Sequence, residues 1–338
     1  MPDIQNHGKT EESPFVSFII PAYNLSPQLL RECIESIFAL SLRPNERQVI
    51  VVDDGSPEPL IGALTDMADQ LLYIRQPNQG VAVARNKGLA VARSQYIQFV
   101  DADDLLLRHD YEHVLDLTRT QQPDIVMFHY QHSTQQSASF HDSVPVSGSE
   151  LMRRQNIQGA VWTLLFRHDI SGSLQFTPGI RYAEDEEFTA QLLLRAERVI
   201  TTSASPYYYR VHPDSATNTT DVRSRLTRLN DTYRVITNLQ QRLDTLPTEE
   251  RIALQRRIDQ LTMDYIHNII VMTQSRHYLE RKLDKLRLQG LFPLPDRDYT
   301  TTYKWFRRMT NSRIGRYLLM RTIRFSSEMR EERQRDKD

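Results

Sequence analysis

Short apolar segments recur along the first hundred residues of the chain. Residues 15–23 (FVSFIIPAY), 48–54 (QVIVVDD) and 96–104 (YIQFVDADD) are rich in β-branched and aromatic residues. Each is followed or bounded by polar or turn-forming residues, so each predicts a buried strand. A shorter segment of the same kind at 71–76 predicts a fourth strand.

Segments with helical spacing separate these strands. Ser26 and Pro27 are suited to the cap and first position of a helix, and residues 60–70 and 80–94 have apolar residues at helical intervals. Regular alternation of strands and helices favours right-handed crossovers. We therefore predict an α/β fold, with a mainly parallel, Rossmann-like sheet and helices on both of its faces.

The pattern changes near residue 221. Beyond it, apolar residues such as Leu229, Tyr233 and Ile236 fall at helical intervals with no intervening strands. Residues 221–338 contain 25 Lys and Arg against 16 Asp and Glu, a net charge of +9, and since the whole chain carries −1, residues 1–220 carry −10. We predict two parts, an α/β domain at 1–220 and a basic α-helical C-terminal region at 221–338.

The composition argues against several classes of protein. Apolar residues make up 39% and charged residues 25% of the 338 positions, as in ordinary globular proteins. Cys33 is the single cysteine, so a disulfide framework is excluded. No apolar run reaches the length of about 18 residues that a membrane span needs, and the polar N-terminus lacks a signal-peptide core. We expect a cytoplasmic protein with no nucleic-acid partner.

Polar side chains collect where the predicted strands end. They are Tyr23, Asn24, Asp53, Asp54, Asp101 and Asp103. The carboxyl ends of parallel strands meet at one edge of a sheet, and ligands bind beyond that edge. Neighbouring carboxylates repel one another unless cations or hydrogen-bond donors offset their charge. This edge therefore predicts a ligand site with a cationic partner.

Four segments in order resemble the family 2 glycosyltransferases, which have the GT-A fold. The segments are FVSFIIPAYN, VIVVDDGSPE, NQGVAVARNKGLAVARSQYIQFVDADD and RYAEDEEF, and the resemblance covers about residues 15 to 215. It implies an inverting glycosyltransferase of the hexosyltransferase type (EC 2.4), which acts in surface-polysaccharide synthesis. Such an enzyme moves one sugar from a nucleotide-diphosphate sugar, here expected to be a UDP-sugar, to a hydroxyl of a glycan or lipid-linked acceptor.

The resemblance also implies roles for particular residues. Tyr23 stacks on the nucleotide base, and Asp54, supported by Asp53, binds the uracil and ribose. The DxD motif falls on Asp101 and Asp103, of which Asp103 binds Mg²⁺ or Mn²⁺ directly. The nucleotide-binding set is then Pro21, Tyr23, Asn24, Asp53, Asp54, Arg85 and Asp101, and further donor or acceptor contacts are Asp101, Ala102, Glu184, Trp162, Arg210 and His212.

The catalytic base falls on Asp185 of the AEDEEF segment. It would take the proton of the acceptor hydroxyl during a single displacement with inversion. Two departures from the family affect the acceptor. Trp162 is followed by Thr, Leu and Leu where relatives often have Asn, Lys and Leu, and the Gln-x-x-Arg-Trp motif of processive synthases is absent. We expect the enzyme to add one sugar at a time.

Other interpretations of these residues remain open. A solvated helix face explains Arg85 and Lys87 as well as a phosphate contact does, and the acids at 184–187 suit the first turn of any helix. Tyr23 is compatible with ordinary packing, and His212 with a polar surface. Among functions, the alternative is a catalytically silent GT-A domain that acts as a binding or scaffold module. A nucleotidyltransferase would usually have a Gly-rich phosphate loop near its N-terminus, which PAYNLSP is not.

The last part of the chain suggests a membrane contact. Residues 301–325 contain seven Lys or Arg and no acid. The interleaved apolar and aromatic residues are Trp305, Phe306, Tyr317, Leu318, Leu319, Ile323 and Phe325. Basic and aromatic side chains favour an anionic membrane surface, here the inner face of the cell membrane. A basic element packed on the catalytic domain, or the interface of a homo-oligomer, is the alternative.

Overall fold

The computed structural model describes residues 13–211 and 221–322 of the chain. These residues divide into two compact units, each assembled from stretches that are separate in sequence. The first unit takes in 13–145, 160–179 and 196–211, and the second takes in 146–159, 180–195 and 221–322. The functional division predicted at residue 220 stays a prediction.

Two sheets are described in the first unit. Their strands are β1 (Val16–Ala22), β2 (Arg47–Asp53), β3 (Leu71–Arg75), β4 (Tyr96–Phe99), β5 (Leu105–Leu106), β6 (Ile125–Met127), β7 (Tyr130–Gln131), β8 (Leu164–Arg167), β9 (Val199–Thr201) and β10 (Tyr207–Tyr208). The larger sheet has the order β3-β2-β1-β4-β8-β6-β9 and the smaller β5-β10-β7. β1 to β4 pair in parallel, and β8 runs antiparallel to β4 and β6. The predicted mainly parallel α/β sheet is confirmed.

Helices belong to both units. Those of the first are α1 (Pro27–Phe38), α2 (Val81–Val91), α3 (Arg108–Gln121) and α5 (His168–Ser171), and those of the second are α4 (Gly148–Arg154), α6 (Glu184–Leu193), α7 (Val222–Gln240), α8 (Thr248–Thr273), α9 (Arg276–Leu288) and α10 (Thr301–Asn311). None of the helices described has the length and apolar composition that crossing a membrane requires.

Helices cover both faces of the large sheet because side chains alternate along its strands. Phe18 and Ile20 of β1 lie in one core with buried residues of α1 and α3. Ile19, between them, faces α2. A Cβ atom at Gly88 of α2 would lie 2.2 Å from Cγ2 of Ile19, so this glycine allows the helix to approach the sheet closely. The polar strand ends are thereby held on a rigid, doubly covered sheet.

The second unit has a helical core of its own. Leu229 and Ile236 of α7 pack with Ile258 and Tyr265 of α8 in one buried cluster, as their spacing predicted. Asp221 caps α7 by accepting hydrogen bonds from two backbone N–H groups of its first turn. α6, which carries the AEDEEF acids, packs against α7. The helical C-terminal region is confirmed for the residues that the structure covers.

Candidate active site

The end of β1 presents an aromatic ring beside a strained turn. Tyr23 is 52% exposed, so its ring is not ordinary strand-end packing. Asn24 follows in the left-handed region, with φ of 45°, and its N–H donates to Oγ of Ser56 at 3.0 Å. The carbonyl of Ala22 accepts from the N–H of Asp54 at 2.8 Å, which ties the β1 and β2 ends together. Tyr23 therefore directly follows the point where the two strand ends are joined, and about half of its surface is exposed.

Asp53 is an internal anchor for the loop after β2. Its fully buried carboxylate accepts from the N–H of Ser56 at 2.8 Å and from the hydroxyl of Tyr73 at 2.5 Å. Burial opposes ionisation, but these hydrogen bonds prevail and lower the pKa of Asp53. Burial and the same bond raise the pKa of Tyr73 to about 12. Asp53 thus holds the shape of the loop that carries Asp54.

Asp54 is 4% exposed and links the β2 end to the start of α2. One carboxylate oxygen accepts from the N–H of Gly80 at 2.8 Å. The other accepts from the N–H of Gln79 at 2.9 Å and from the side-chain amide of Gln76 at 2.7 Å. Since a carboxylate offers about four acceptor positions, one remains on the oxygen that Gly80 uses.

Arg85 lies against the acidic cluster after β4. Its side chain is 5% exposed, so it is not on a solvated helix face, whereas Lys87 is exposed. Nη2 of Arg85 donates to Oδ1 of Asp101 at 3.0 Å, and the guanidinium lies 5.4 Å from the ring centre of Phe176. Burial raises the pKa of Asp101, Arg85 opposes that shift, and the negative charge of Asp103 adds to it. Arg85 therefore pairs with a carboxylate of the cluster, and its role in nucleotide binding stays a prediction.

Asp104 completes the cluster from inside. It is 1% exposed, and Oδ1 accepts from the N–H of Arg210 at 2.8 Å. Burial and the charge of Asp101 raise the pKa of Asp104 to about 8. Ala102, predicted as a donor or acceptor contact, is also buried. Burial thus opposes the charged form of these carboxyl groups, and a cation beside them would favour that form.

The carboxylates fit a divalent cation that is shared with a substrate. In the part of the chain that the structure covers, no group of three or more His, Cys, Asp or Glu is arranged to hold a metal ion. Magnesium is commonly held by one or two carboxylates together with substrate phosphates. Asp101 and Asp103 are oxygen donors of this kind, and they lie two residues apart directly after β4. The donor set therefore fits Mg²⁺ or Mn²⁺.

An aromatic column, defined as Tyr207, Trp162, Tyr209 and Tyr130, begins beside this cluster. The buried Tyr207 hydroxyl accepts from the N–H of Asp101 at 3.0 Å. Trp162 stacks on Tyr207 and Tyr209, with ring centres 4.4 and 5.7 Å apart. Tyr130 meets Trp162 edge-on at 5.1 Å and is 37% exposed. The sequence predicted Trp162 as a donor or acceptor contact but none of the three tyrosines, of which Tyr207 and Tyr209 belong to the YYY run at 207–209.

Arg210 is held by two acids. Its backbone N–H donates to Asp104, and its Nη2 pairs with Oε2 of Glu32 on α1 at 2.8 Å. Hydrogen bonds from Gln28 and Arg210 lower the pKa of Glu32. The structure thus brings the backbone of Arg210 to the acidic cluster, and its role as a donor or acceptor contact stays a prediction. His212 lies outside the residues that the structure describes.

The AEDEEF acids belong to the second unit, where they open α6. Ala183 precedes the helix in the left-handed region, with φ of 65°. Oδ1 of Asp185 accepts from the N–H of Glu186 at 2.9 Å, and Glu184 is buried. Glu186 pairs with Arg257, which the sequence reading missed because that arginine lies 71 residues further along. Asp185 is partly exposed, and its neighbour Glu186 forms an ion pair with Arg257.

A cavity of about 690 Å³ lies in a different part of the first unit. Its wall includes Phe15 and Tyr96, at the amino ends of β1 and β4, and Arg167, at the end of the antiparallel β8. The polar strand ends lie at the opposite edge of the sheet. The cavity is therefore not the predicted donor site.

Comparisons with known proteins found glycosyltransferases. The family model described as Glycosyl transferase family 2 matches residues 17–173. The uncharacterized glycosyltransferase EpsJ of Bacillus subtilis (strain 168) is 31% identical over 220 residues, which are 60% of this chain and 63% of EpsJ. The chain thus spans less than two thirds of the length of that relative.

Two solved structures share the fold. S. aureus TarS 1–349, in complex with UDP-GlcNAc, is similar with a TM-score of 0.57 and 17% identity, over 82% of this chain and 92% of that chain. The mannosyltransferase PcManGT from Pyrobaculum calidifontis, in complex with GDP-Man and Mn²⁺, has a TM-score of 0.52 and 15% identity, over 88% of this chain and 87% of that chain.

Proposed function

We propose that the protein is an inverting glycosyltransferase of surface-glycan synthesis with the GT-A fold, because residues 17–173 match the glycosyl transferase family 2 model and the large sheet is mainly parallel. It moves one sugar from a nucleoside diphosphate sugar, a UDP-sugar, to a hydroxyl of a glycan or lipid-linked acceptor. The observation that carries the proposal is the cluster of Asp101 and Asp103 beside the buried Arg85. In support, TarS and PcManGT are solved with nucleotide sugars.

The donor nucleotide binds at the ends of β1 and β2. Tyr23, exposed and next to Asp54, stacks on the base. Asp54 has one acceptor position left and takes a hydrogen bond from the base, while Asp53 keeps the loop in shape through Ser56 and Tyr73. Pro21 and Asn24 fix the backbone of this edge.

The diphosphate binds at the acidic cluster. Asp103, with Asp101, holds Mg²⁺ or Mn²⁺, which when bound offsets the charge of the departing nucleoside diphosphate. Arg85 favours the ionised form of Asp101 and orients its carboxylate. Arg210 leaves its ion pair with Glu32 and contacts the diphosphate instead, to which it supplies positive charge.

Asp185 acts as the general base. Its carboxylate takes the proton of an acceptor hydroxyl as that oxygen forms a bond to the anomeric carbon. The bond from the anomeric carbon to the phosphate oxygen breaks, and the nucleoside diphosphate leaves with the electron pair. Attack opposite the leaving group inverts the anomeric centre. The partial exposure of Asp185 supports this role, because the proton must be able to leave afterwards.

A donor screen tests the reaction. Purified protein with Mg²⁺ or Mn²⁺ is incubated with UDP- and GDP-sugars and a mixture of glycan and lipid-linked acceptors, and release of UDP or GDP is followed. Asp103→Asn should abolish release and weaken metal-dependent UDP binding, since an amide is a poor ligand for a hard cation. Asp69→Asn, at an exposed acid of the same unit, is the matched control. Full activity in EDTA would remove the metal from the proposal.

A second pair of variants tests the base. Asp185→Asn should keep UDP affinity while kcat falls by at least about 10²-fold. Glu187→Gln, in the same first turn of α6, loses the same charge near the helix dipole and should keep kcat within a few-fold. Equal losses in both variants would favour the helix-dipole role of Asp185. UDP binding with no turnover of any donor would favour the silent scaffold.

We also propose that the enzyme works at the inner face of the cell membrane, where a lipid-linked acceptor would be embedded. Support comes from the basic charge of residues 301–325 and from the exposed apolar side chains among them. Association in this case is peripheral, through surface residues.

A further inference from the structure

The last described helical stretch, residues 313–322, buries a charged side chain and exposes apolar ones. Arg316 is 3% exposed and forms a two-point ion pair with Glu280 of α9, with nitrogen–oxygen distances of 2.8 and 3.1 Å. Its Nη1 also donates to the carbonyl of Thr310 at 2.7 Å. Leu319 is buried beside it. The charged side chain therefore anchors the stretch to the second unit.

Apolar side chains face outward instead. Ile314 is 74% exposed, and Tyr317 and Leu318 are each 48% exposed. Spacings of three, four and seven residues put these three and Arg321 on one face of a helix, which we call the outer stripe. The guanidinium of Arg321 lies over the Tyr317 ring at 5.8 Å. A water-exposed face of this composition is costly unless something covers it.

The stretch is locked in this orientation. A Cβ atom at Gly315 would lie 2.3 Å from the carbonyl oxygen of Met309, so this glycine is what allows close contact with α10.

Phe306 and Leu319 were predicted as interface residues, but they are 4% and 2% exposed and belong to the core. Ile323 and Phe325 lie outside the described residues. The interface is thus narrower than the sequence predicted, and turning the helix inward would break the Arg316 ion pair.

The charges around the outer stripe are unbalanced. Nearby cations have acidic partners, as Lys304 has in Asp298 at 2.9 Å. Arg308, Arg313 and Arg321 are exposed and pair with no carboxylate within the parts of the chain that the structure covers. Two copies packed stripe to stripe would bring these arginines together, and like charges oppose such a dimer.

We propose that the outer stripe, with Arg308 and Arg313, docks on an anionic lipid surface. Apolar side chains enter the headgroup boundary while arginines meet lipid phosphates. The proposal deepens the membrane role proposed above and rests on it. Vesicle binding is measured without donor or acceptor, however. A loss of vesicle binding can therefore be distinguished from a loss of glycosyl transfer.

Co-sedimentation with vesicles tests the charges. The full chain should bind vesicles of phosphatidylcholine mixed with phosphatidylglycerol at low salt, bind phosphatidylcholine alone far less, and be released at about 0.5 M NaCl. Each arginine near the surface contributes about fivefold, so replacing all three unpaired arginines by glutamine should weaken binding about a hundredfold. The matched control replaces three exposed arginines of the same unit, Arg223, Arg242 and Arg251, and should bind as the wild type does.

A second variant tests the apolar face. Leu318→Gln should weaken vesicle binding several-fold, whereas Leu288→Gln, at an 88% exposed leucine of α9, should not. All these positions are exposed, so circular dichroism should show an unchanged fold. Equal binding to neutral vesicles, binding to neither kind, or equal losses in variants and controls would overturn the proposal. So would a dimer that Leu318→Gln converts to a monomer, since a second copy would then be the occupant of the stripe.

Discussion

Replacing Arg257 by methionine should destabilise the protein by about 3 kcal/mol at pH 7. Arg257 is 6% exposed, donates through Nη1 to the carbonyl of Ile157 at 2.8 Å, and pairs through Nη2 with Glu186. Methionine fills most of the same volume, so the cavity term is small. The substitution leaves the Glu186 carboxylate without its cation and the Ile157 carbonyl without its donor.

The magnitude follows from the burial of the two groups. Removing one partner of a fully buried ion pair costs about 3–5 kcal/mol, and a buried carbonyl without a donor costs about 1–3 kcal/mol. The Glu186 side chain is 26% exposed, and water screens part of its charge. We therefore assign about 2 kcal/mol to the carboxylate and about 1 kcal/mol to the carbonyl.

Urea unfolding followed by far-ultraviolet circular dichroism measures the loss. Hydrogen exchange of peptides that span residues 157–160 and 184–193 should show where it occurs. Adding Glu186→Gln to Arg257→Met should recover about 2 kcal/mol, because the carboxylate that had paired with Arg257 is then uncharged as well. Arg251→Met, at an exposed arginine of α8, should change stability by less than about 0.5 kcal/mol. A loss below about 1 kcal/mol for Arg257→Met, or no recovery in the double variant, would refute the reasoning.

Two further substitutions test packing and pH dependence. Tyr73→Phe should cost about 1–2 kcal/mol at pH 7, by urea unfolding, because the buried Asp53 loses a hydrogen bond. The pKa of Asp53 is lowered in the folded protein, so this contribution is present above its unfolded pKa and is lost as pH falls through the folded value. The gap between wild type and variant should therefore shrink below about pH 4, and a constant gap would contradict the assignment. Gly315→Ala should lower the melting temperature through contact with the Met309 backbone, whereas Gly62→Ala, whose Cβ meets nothing within 4 Å, should not.

Local patterns predicted the strands and the acids at their ends. A strand buried on both faces is nearly continuous in apolar residues, and β1, β2 and β4 could be recognised for that reason. The helix predicted at 60–70 is wrong, because this segment forms two short 3-10 helices, Leu60–Ala63 and Thr65–Gln70. Its buried residues Leu60, Leu64 and Met67 have spacings of four and three, which do not distinguish the two kinds of helix.

The sequence by itself determined the alternation of strands and helices, the edge where polar side chains meet, and the helical nature of the C-terminal region. Only the tertiary structure decided which charged side chains are buried. Arg85, Arg257 and Arg316 are buried, and they pair with carboxylates that lie 16, 71 and 36 residues away, respectively. Burying a charge is favourable only where a partner and further hydrogen bonds are supplied. Whether a buried charge finds this partner and these hydrogen bonds depends on which elements pack together. The periodicity of a strand or helix, in contrast, is present in its own residues.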